Sequence, residues 1–384
     1  MIRRFRRKLR ERLGLNQSLP SINEDYFKFG SLIGESDIEN IDMPLNSYIN
    51  IPDNPSPLLA ALDSRGDEIV QAMISSSRKM LSNRAAIRRR YSKHIQSIWG
   101  NSITSLKMLI AASLETGELF NNQYQHQANE DGDLLFIAVI RLHARCCLLA
   151  QEVSWLLEGG FPSAAMSRWR TLHEAAVVSL FISGRGQDVA ERYLLHDHKD
   201  AYDYAKIFQE QAAALGPDYE PLSAEEMERH EDRKRDLCSR FGDSYWKQWG
   251  WAANALNIKN PHFTAIEAAV GLEYLRPFFK MACHSNHAGS RGIWFDIGLP
   301  APDMPIMLAG PSDAGFYDPG VSTAISITHA SRAMLGLRAS ETAVVSRLVI
   351  EKLTGLCEAA FSEAEALYQE EFERRGEEKK APPA

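Results

Sequence analysis

The sequence predicts an all-α protein, a multi-helix bundle with one large helical domain at residues 57–373, a flexible basic amphipathic arm and linker at 1–56, and a disordered charged tail at 374–384. Three observations carry that expectation. Beyond Pro57, apolar residues recur every three or four positions over long stretches, the spacing of a helix with one buried stripe. Gly and Pro gather where one such stretch gives way to the next. Strand signals are few and short, so the number of long helices decides the class.

The bulk composition narrows the function classes. A chain of 384 residues with 45% hydrophobic and 24% charged residues is an ordinary globular composition, long enough to bury a sizeable core. Its net charge of −7 and pI of about 5.9 argue against wholesale coating of nucleic acid, while leaving room for a local basic patch. Cys146, Cys147, Cys238, Cys283 and Cys357 have the spacing of neither a zinc ribbon nor a disulfide framework, and a reducing cytoplasm is the simplest compartment. No uninterrupted apolar run approaches the roughly 20 residues of a membrane span. The start lacks the apolar core of a signal peptide.

In the opening MIRRFRRKLRERL, Ile2, Phe5, Leu9 and Leu13 form one helical stripe among Arg and Lys. Three readings stand side by side: attraction to an anionic membrane, contact with nucleic acid, and a solubilising tail. Gly14 to Pro57 is rich in Asn, Ser, Pro and Asp and reads as a linker or surface strap anchored by Tyr26, Phe27 and Phe29. Helical periodicity then covers Leu58 to Leu62, Ile69 to Arg90 and Tyr91 to Leu119, with Gly66, Gly100 and Gly117 as interruptions. The polar NQYQHQANEDGD reads as a turn. Leu134 to Leu157 repeats Leu135, Val139, Leu142, Cys146, Leu149, Val153 and Leu156 on one buried stripe. His143 and Cys146 within it have a spacing that suits a metal, but they stand alone among apolar residues and are read as packing.

The stretch around which the rest is organised is Gly159 to Ser183, GGFPSAAMSRWRTLHEAAVVSLFIS. Two glycines close the preceding helix and Pro162 suits a first turn, so it reads as one buried helix. At about 100° per residue, Arg170, His173, Glu174, Val177 and Phe181 share one sector. DVAERYLLHDHKDAYDYAKIFQEQAAAL follows as another amphipathic helix, ended by Gly216 and Pro217. LSAEEMERHEDRKRDL is an exposed helix with a capping box of Ser223 and Glu226. YWKQWGWAA gathers three tryptophans as a cap on the core, with base stacking as the alternative. NPHFTAIEAAVGLEYLRPFFKMACHSNHAGSRG reads as a long helical segment kinked at Pro277 and stopped at Gly289. GLPAPDMPIMLAGPSDAGFYDPG is a long loop of the kind that forms lids. A last helix spans Val321 to Glu373, with a break near Gly336 left open.

Candidate catalytic residues are Arg170, Glu174, His287, His173, His196 and His284; candidate substrate-binding residues are Arg168, Tyr193 and Arg291. Arg170 and Glu174 have two readings. They are either an i, i+4 ion pair that fixes helix register, or a carboxylate that orients a histidine beside an arginine that stabilises negative charge. His196 and His198 lie about 200° apart on a helix and cannot grip one ion, and only one of them could join the i, i+3 pair of His284 and His287, so no metal or cofactor is expected. Cys283 and His284 point about 100° apart, which leaves the thiol structural. No G-x-S-x-G, Walker loop or G-x-G-x-x-G is present, which removes acyl-transfer, ATP and NAD readings.

Two resemblances add to this. Arg168-Trp-Arg-Thr-Leu-His173 resembles the Arg-x4-His signature of the helical HEPN ribonucleases, with Trp169 where that family has a polar residue and Arg168 about 140° from His173. That resemblance implies metal-independent RNA cleavage at a dimer groove, with His as acid/base and Arg on the phosphate. More of the chain, roughly Tyr91 to Glu365, resembles the bacterial family called domain of unknown function 5677: Leu156-Leu157-x-x-Gly160, then Ala165-x-x-x-x-Arg170-x-Leu172-x-Glu174, and later Cys283-x-x-x-His287, where the family tends to have Ser in place of Cys283. The LAGPSDAG loop belongs to the same likeness. It implies a helical fold and nominates Arg170, Glu174 and His287, without naming a reaction.

Two functions follow as expectations. The first is an RNA- or nucleotide-directed effector that cleaves phosphodiesters without a metal, with His287 or His173 as acid/base and Arg170 on the phosphate. The second is a non-catalytic interaction or sensor protein in which the same residues bolt helices together. The expected partners are RNA or a nucleotide, a protein partner or a second copy, with the basic arm touching nucleic acid or an anionic membrane. Catalysis requires an open pocket lined by the histidines; a bolt requires them to be buried and mutually satisfied.

Overall fold

The computed structural model of the protein describes residues 57–216, 219–300 and 307–378. The basic arm, the linker and the final stretch 379–384 lie outside the described residues. Every regular element among the described residues is helical. The described residues divide into two units, one up to Lys93 and one from His94 onward. In the first, the described part opens α1 (Pro57–Glu130), and most of its side chains face solvent. In the second, the rest of α1 buries Ile95, Trp99, Ile103, Leu106 and Ile110, one stripe at helical spacing.

Next come α2 (Leu134–Glu158), α3 (Pro162–Ser183), α4 (Gln187–Leu195), α5 (Asp197–Leu215) and α6 (Ala224–Phe241). After them run the short α7 (Ala253–Leu256) and α8 (Phe263–Ala269), then α9 (Arg276–Asn286), α10 (Tyr317–Leu335) and α11 (Glu341–Glu378). α3 packs against α2, α8, α9 and α10, and α10 in turn packs against α2 and α11. α2 is apolar and long enough to cross a membrane by composition, which the broken run of its sequence did not suggest; half of that span is buried within the protein, as in a core helix.

Several sequence expectations need correcting, each for a local reason. α1 is unbroken through Gly66, Gly100, Gly117 and the polar stretch to Glu130. An isolated glycine costs a helix only about 1 kcal/mol, too little to end one that is long and packed. Gly117 is a point of approach instead: a Cβ there would lie 2.6 Å from the His143 ring of α2. His143 is buried, with Nε2 3.1 Å from Ser331 Oγ of α10, so its place is in packing. The helix expected over residues 188–215 divides at His196, whose Nε2 lies 2.9 Å from the Lys247 carbonyl. The segment expected to be one long helix is broken by Gly271, at φ +73°, and Pro277 falls in the first turn of α9, where it starts a helix instead of kinking one. α11 begins beyond Gly336 and continues to Glu378, into the stretch read as tail.

Other expectations hold. Ser223 and Glu226 form the reciprocal capping box at the start of α6. The tryptophan segment folds as two 3-10 turns, Asp243–Trp246 and Gly250–Ala252, that bury Tyr245 and Trp251 against the core. The long loop before α10, expected to be of the lid-forming kind, is instead tied down in its described part: Ser312 N donates to the Gly160 carbonyl at 2.8 Å, and Trp99 Nε1 donates to the Asp313 carbonyl at 2.8 Å, while 301–306 lie outside the described residues.

Close approach also explains Gly320, where a Cβ would overlap the ring of the fully buried Phe361 of α11. Gly320→Ala is expected to lower the melting temperature, because overpacking costs about 1–3 kcal/mol against a helix-propensity gain of about 1 kcal/mol. Thermal unfolding of Gly320→Ala, with and without Phe361→Leu to make room, checks this: the second change should recover part of the loss.

Candidate functional site

α3 is covered on nearly all sides, so its polar groups must be answered by whatever packs on them. Met166, Trp169, Leu172, Val177 and Phe181 are fully buried. The Trp169 indole N–H reaches the Ser322 carbonyl at 2.9 Å and Ser326 Oγ at 3.0 Å on α10, so that this large side chain leaves no orphan donor.

His173 sits one turn further and is 0% exposed. Its Nε2 lies 2.8 Å from Glu267 Oε1 on α8, and Glu267 is itself 0% exposed. The second oxygen of Glu267 is ion-paired with Arg276 at the start of α9. A carboxylate removed from water is tolerated only when cations or donors replace its hydration, and here each oxygen has one. The lining is aromatic: Trp169, Phe263 and Phe279 place their centroids 5.2, 6.1 and 5.9 Å from the His173 ring. The Arg276 guanidinium also stacks over Phe263 and Phe279, at 5.3 and 5.1 Å. Nδ1 of His173 makes no hydrogen bond among the described residues. His329, on α10, completes the surroundings: burial, with Arg332 and His173 adding to it, pushes its imidazole down to about 4.

A second, less buried set lies around α2, α3 and α4. The Arg170 guanidinium rests over the Phe279 ring at 4.6 Å, and its Nε is buried without a hydrogen-bond partner among the described residues. Arg170 and Glu174 make no ion pair within 4.0 Å among the described residues; they act on each other only at longer range. Burial raises the Glu174 carboxyl, with Arg170, His173 and Arg145 opposing it. Burial likewise raises the Tyr193 phenol, which lies within the field of Arg145 and Glu174 and sets its ring 5.1 Å from Trp251.

Thus Arg170, His173, Glu174 and Tyr193 are electrostatic neighbours, and the other nominated residues have surroundings of their own. His287 is exposed at the end of α9, where its backbone N–H donates to the Cys283 carbonyl at 3.2 Å. His284 is half-buried in the last turn of α9, and Arg291 is exposed with its guanidinium 5.7 Å from the Phe295 ring. His196 is buried against Tyr245, and burial lowers its imidazole. Arg168 is paired with Glu152 of α2. Among the described residues, no group of three or more His, Cys, Asp or Glu is arranged to hold a metal ion.

Sequence reasoning missed Glu267, Arg276 and His329. A signal existed for the first: Glu267 is the one charged residue in FTAIEAAV, a run otherwise fit for burial. Nothing in the local sequence marks Arg276, beside Pro277, or His329, among the small residues of α10.

The depressed imidazole of His329 gives a pH test. Below its ordinary 6.5 the unfolded chain takes up a proton that the folded chain refuses until about 4. The contribution is therefore complete above pH 6.5 and is lost as pH falls toward 4. Over that window, the stability of the parent should fall faster than that of His329→Gln, by up to about 1.4 kcal/mol per pH unit. Calorimetric unfolding across the window measures it, and equal slopes would place the ring in a water-like setting.

No curated protein and no solved structure matches the chain. Residues 136–303 match the model of a family described as Family of unknown function (DUF5677). The match is narrower than the span over which the sequence motifs resemble that family, and leaves the Leu308 to Gly315 loop outside. It runs from the start of α2 to beyond α9 and holds Arg170, His173, Glu174, Glu267, Arg276 and His287, and over this segment the chain is similar to that family.

Proposed function

We propose that this protein works by binding and not by chemistry at its central cluster: it is a helical interaction or sensor protein in which Glu267, His173 and Arg276 fasten α8 and α9 to α3. One observation carries the reading. His173 and Glu267 are both 0% exposed and face each other at 2.8 Å, so neither offers an atom to a substrate. A general acid or base has to come within hydrogen-bond reach of the proton it moves. Exposed Val344, Val345, Leu348, Val349 and Leu356 along α11 support a role in contact with other molecules. A reducing cytoplasm, in which the five cysteines stay free, is part of the proposal.

A second reading keeps the chain RNA- or nucleotide-directed, and the exposure of both His287 and Arg291 around the end of α9 favours it. There the imidazole would serve as acid/base and the guanidinium would hold the phosphate, without a metal.

The readings separate by experiment. Glu267→Ala should lose about 3–5 kcal/mol of stability, because it leaves a buried imidazole and a guanidinium without their carboxylate. Glu267→Gln, which keeps the shape and one acceptor, should lose less. The parent is expected to leave total RNA intact with or without chelator. RNA cleavage by the parent that disappears in His287→Ala, at an unchanged melting temperature, would establish the second reading instead.

A further inference from the structure

A cavity of about 350 Å³ lies between α5 and α6, lined by His198 of α5, by Leu222, and by Glu226, Arg229, His230 and Arg233 of α6. The four α6 positions follow i, i+3, i+4, i+7 and so form one face of that helix. α6 mixes acids and bases along its length, yet they are sorted by face. Arg235 meets Glu228 and Asp232, Lys234 meets Glu231, and Arg240 lies on Glu191 of α4. The α6 face toward the cavity is left with two arginines, one histidine and one glutamate, and α5 adds His198.

That glutamate is already committed. Glu226 Oε2 accepts from Ser223 N at 2.8 Å and from Ser223 Oγ at 2.9 Å, and its other oxygen is 4.0 Å from Arg229. Arg233 gives one nitrogen to Asp236 at 2.9 Å and keeps the remaining N–H groups of its fork. His198 and His230 make no hydrogen bond among the described residues. Burial lowers the His198 imidazole, and Arg233 and His230 push it lower while Asp197 alone opposes them. An anion among these groups would remove their mutual repulsion.

We infer that this cavity binds a small phosphate-bearing molecule, with the phosphate held by Arg229, Arg233, His198 and His230 and the organic part resting on Leu222. Guanidinium forks match phosphate oxygens in pairs, and imidazoles add further donors. The volume sits near the lower end of the range for small-molecule sites, about 300–1,000 Å³, which suits a phosphorylated metabolite better than a nucleic-acid strand. The site shares no residue with the Glu267 cluster, so it goes beyond the proposed function and does not depend on it.

The experiment titrates the full chain with inorganic phosphate, adenosine monophosphate and adenosine, followed by calorimetry and by the imidazole resonances of His198 and His230. Saturable binding of phosphate and of adenosine monophosphate, but not of adenosine, is expected. Arg229→Gln/Arg233→Gln, both at solvent-reachable side chains, should weaken it at least about tenfold with the melting temperature unchanged. In the parent, phosphate should raise the His198 titration point; this readout stands even if the double variant folds poorly. Absence of saturable binding, unchanged affinity in the double variant, or an unmoved His198 resonance would each overturn the inference. So would a short RNA that binds at this face equally well with a 5′-phosphate and a 5′-hydroxyl, which would make the cavity part of a strand-binding track.

Discussion

The structure around α3 depends on one constraint: the Glu267 carboxylate has no access to water. An ionised group in that position is tolerated only if each oxygen finds a donor or cation, and these come from two different helices, His173 on α3 and Arg276 on α9. α8 itself has seven residues, too few to hold a helix in isolation. Its place is therefore set by docking. The rings of Trp169, Phe263 and Phe279 exclude water from the contact, which strengthens the attraction and raises the cost of any register that separates the three groups.

The same device recurs at Asp133. Burial there works against ionisation, but Arg338, the Phe136 N–H and Gln187 outweigh it and hold the carboxyl below its usual range. Asp133 caps α2 through Phe136 N at 2.9 Å, takes Gln187 of α4 at 2.6 Å, and meets Arg338 of the α10–α11 turn at 2.5 Å. One acid thereby ties together three places remote in sequence. In both cases a buried carboxylate is surrounded by partners from several elements, so its main consequence is which helix faces which.

What could be read from the sequence divides along the same line. The bounds of α3 were legible because Gly159, Gly160 and Pro162 act within a turn, and the Ser223 and Glu226 cap was legible because its two partners are three residues apart. Glu267 was not, because its partner His173 is 94 residues away and nothing in either local sequence points to the other. The glycines of α1 and α10 misled for a related reason. Gly117 and Gly320 are small because His143 and Phe361 come close, a fact about neighbours that local propensity does not contain. Arg170 and Glu174 were placed correctly on one helix, and a direct pair was one of the two readings their spacing allowed. Arg170 spends its guanidinium on the Phe279 ring of α9 instead, a competitor invisible at i, i+4.

Solvent access then separates the roles these polar groups can take. Around Glu267 the partners are fixed by packing, so exchanging one for a ligand would require parting α3 from α8, and the cluster contributes to which helices face one another. On α6 the opposite holds. That helix is maintained by its capping box and by pairs along its exposed sides, and Leu237 is the residue it buries. Its basic face is thus not needed to keep the helix folded, and the groups on it can change partners at little cost to stability. Within one chain, the charges that fix the architecture are those hidden from water, and the charges available for recognition are those left over when the local pairs have formed.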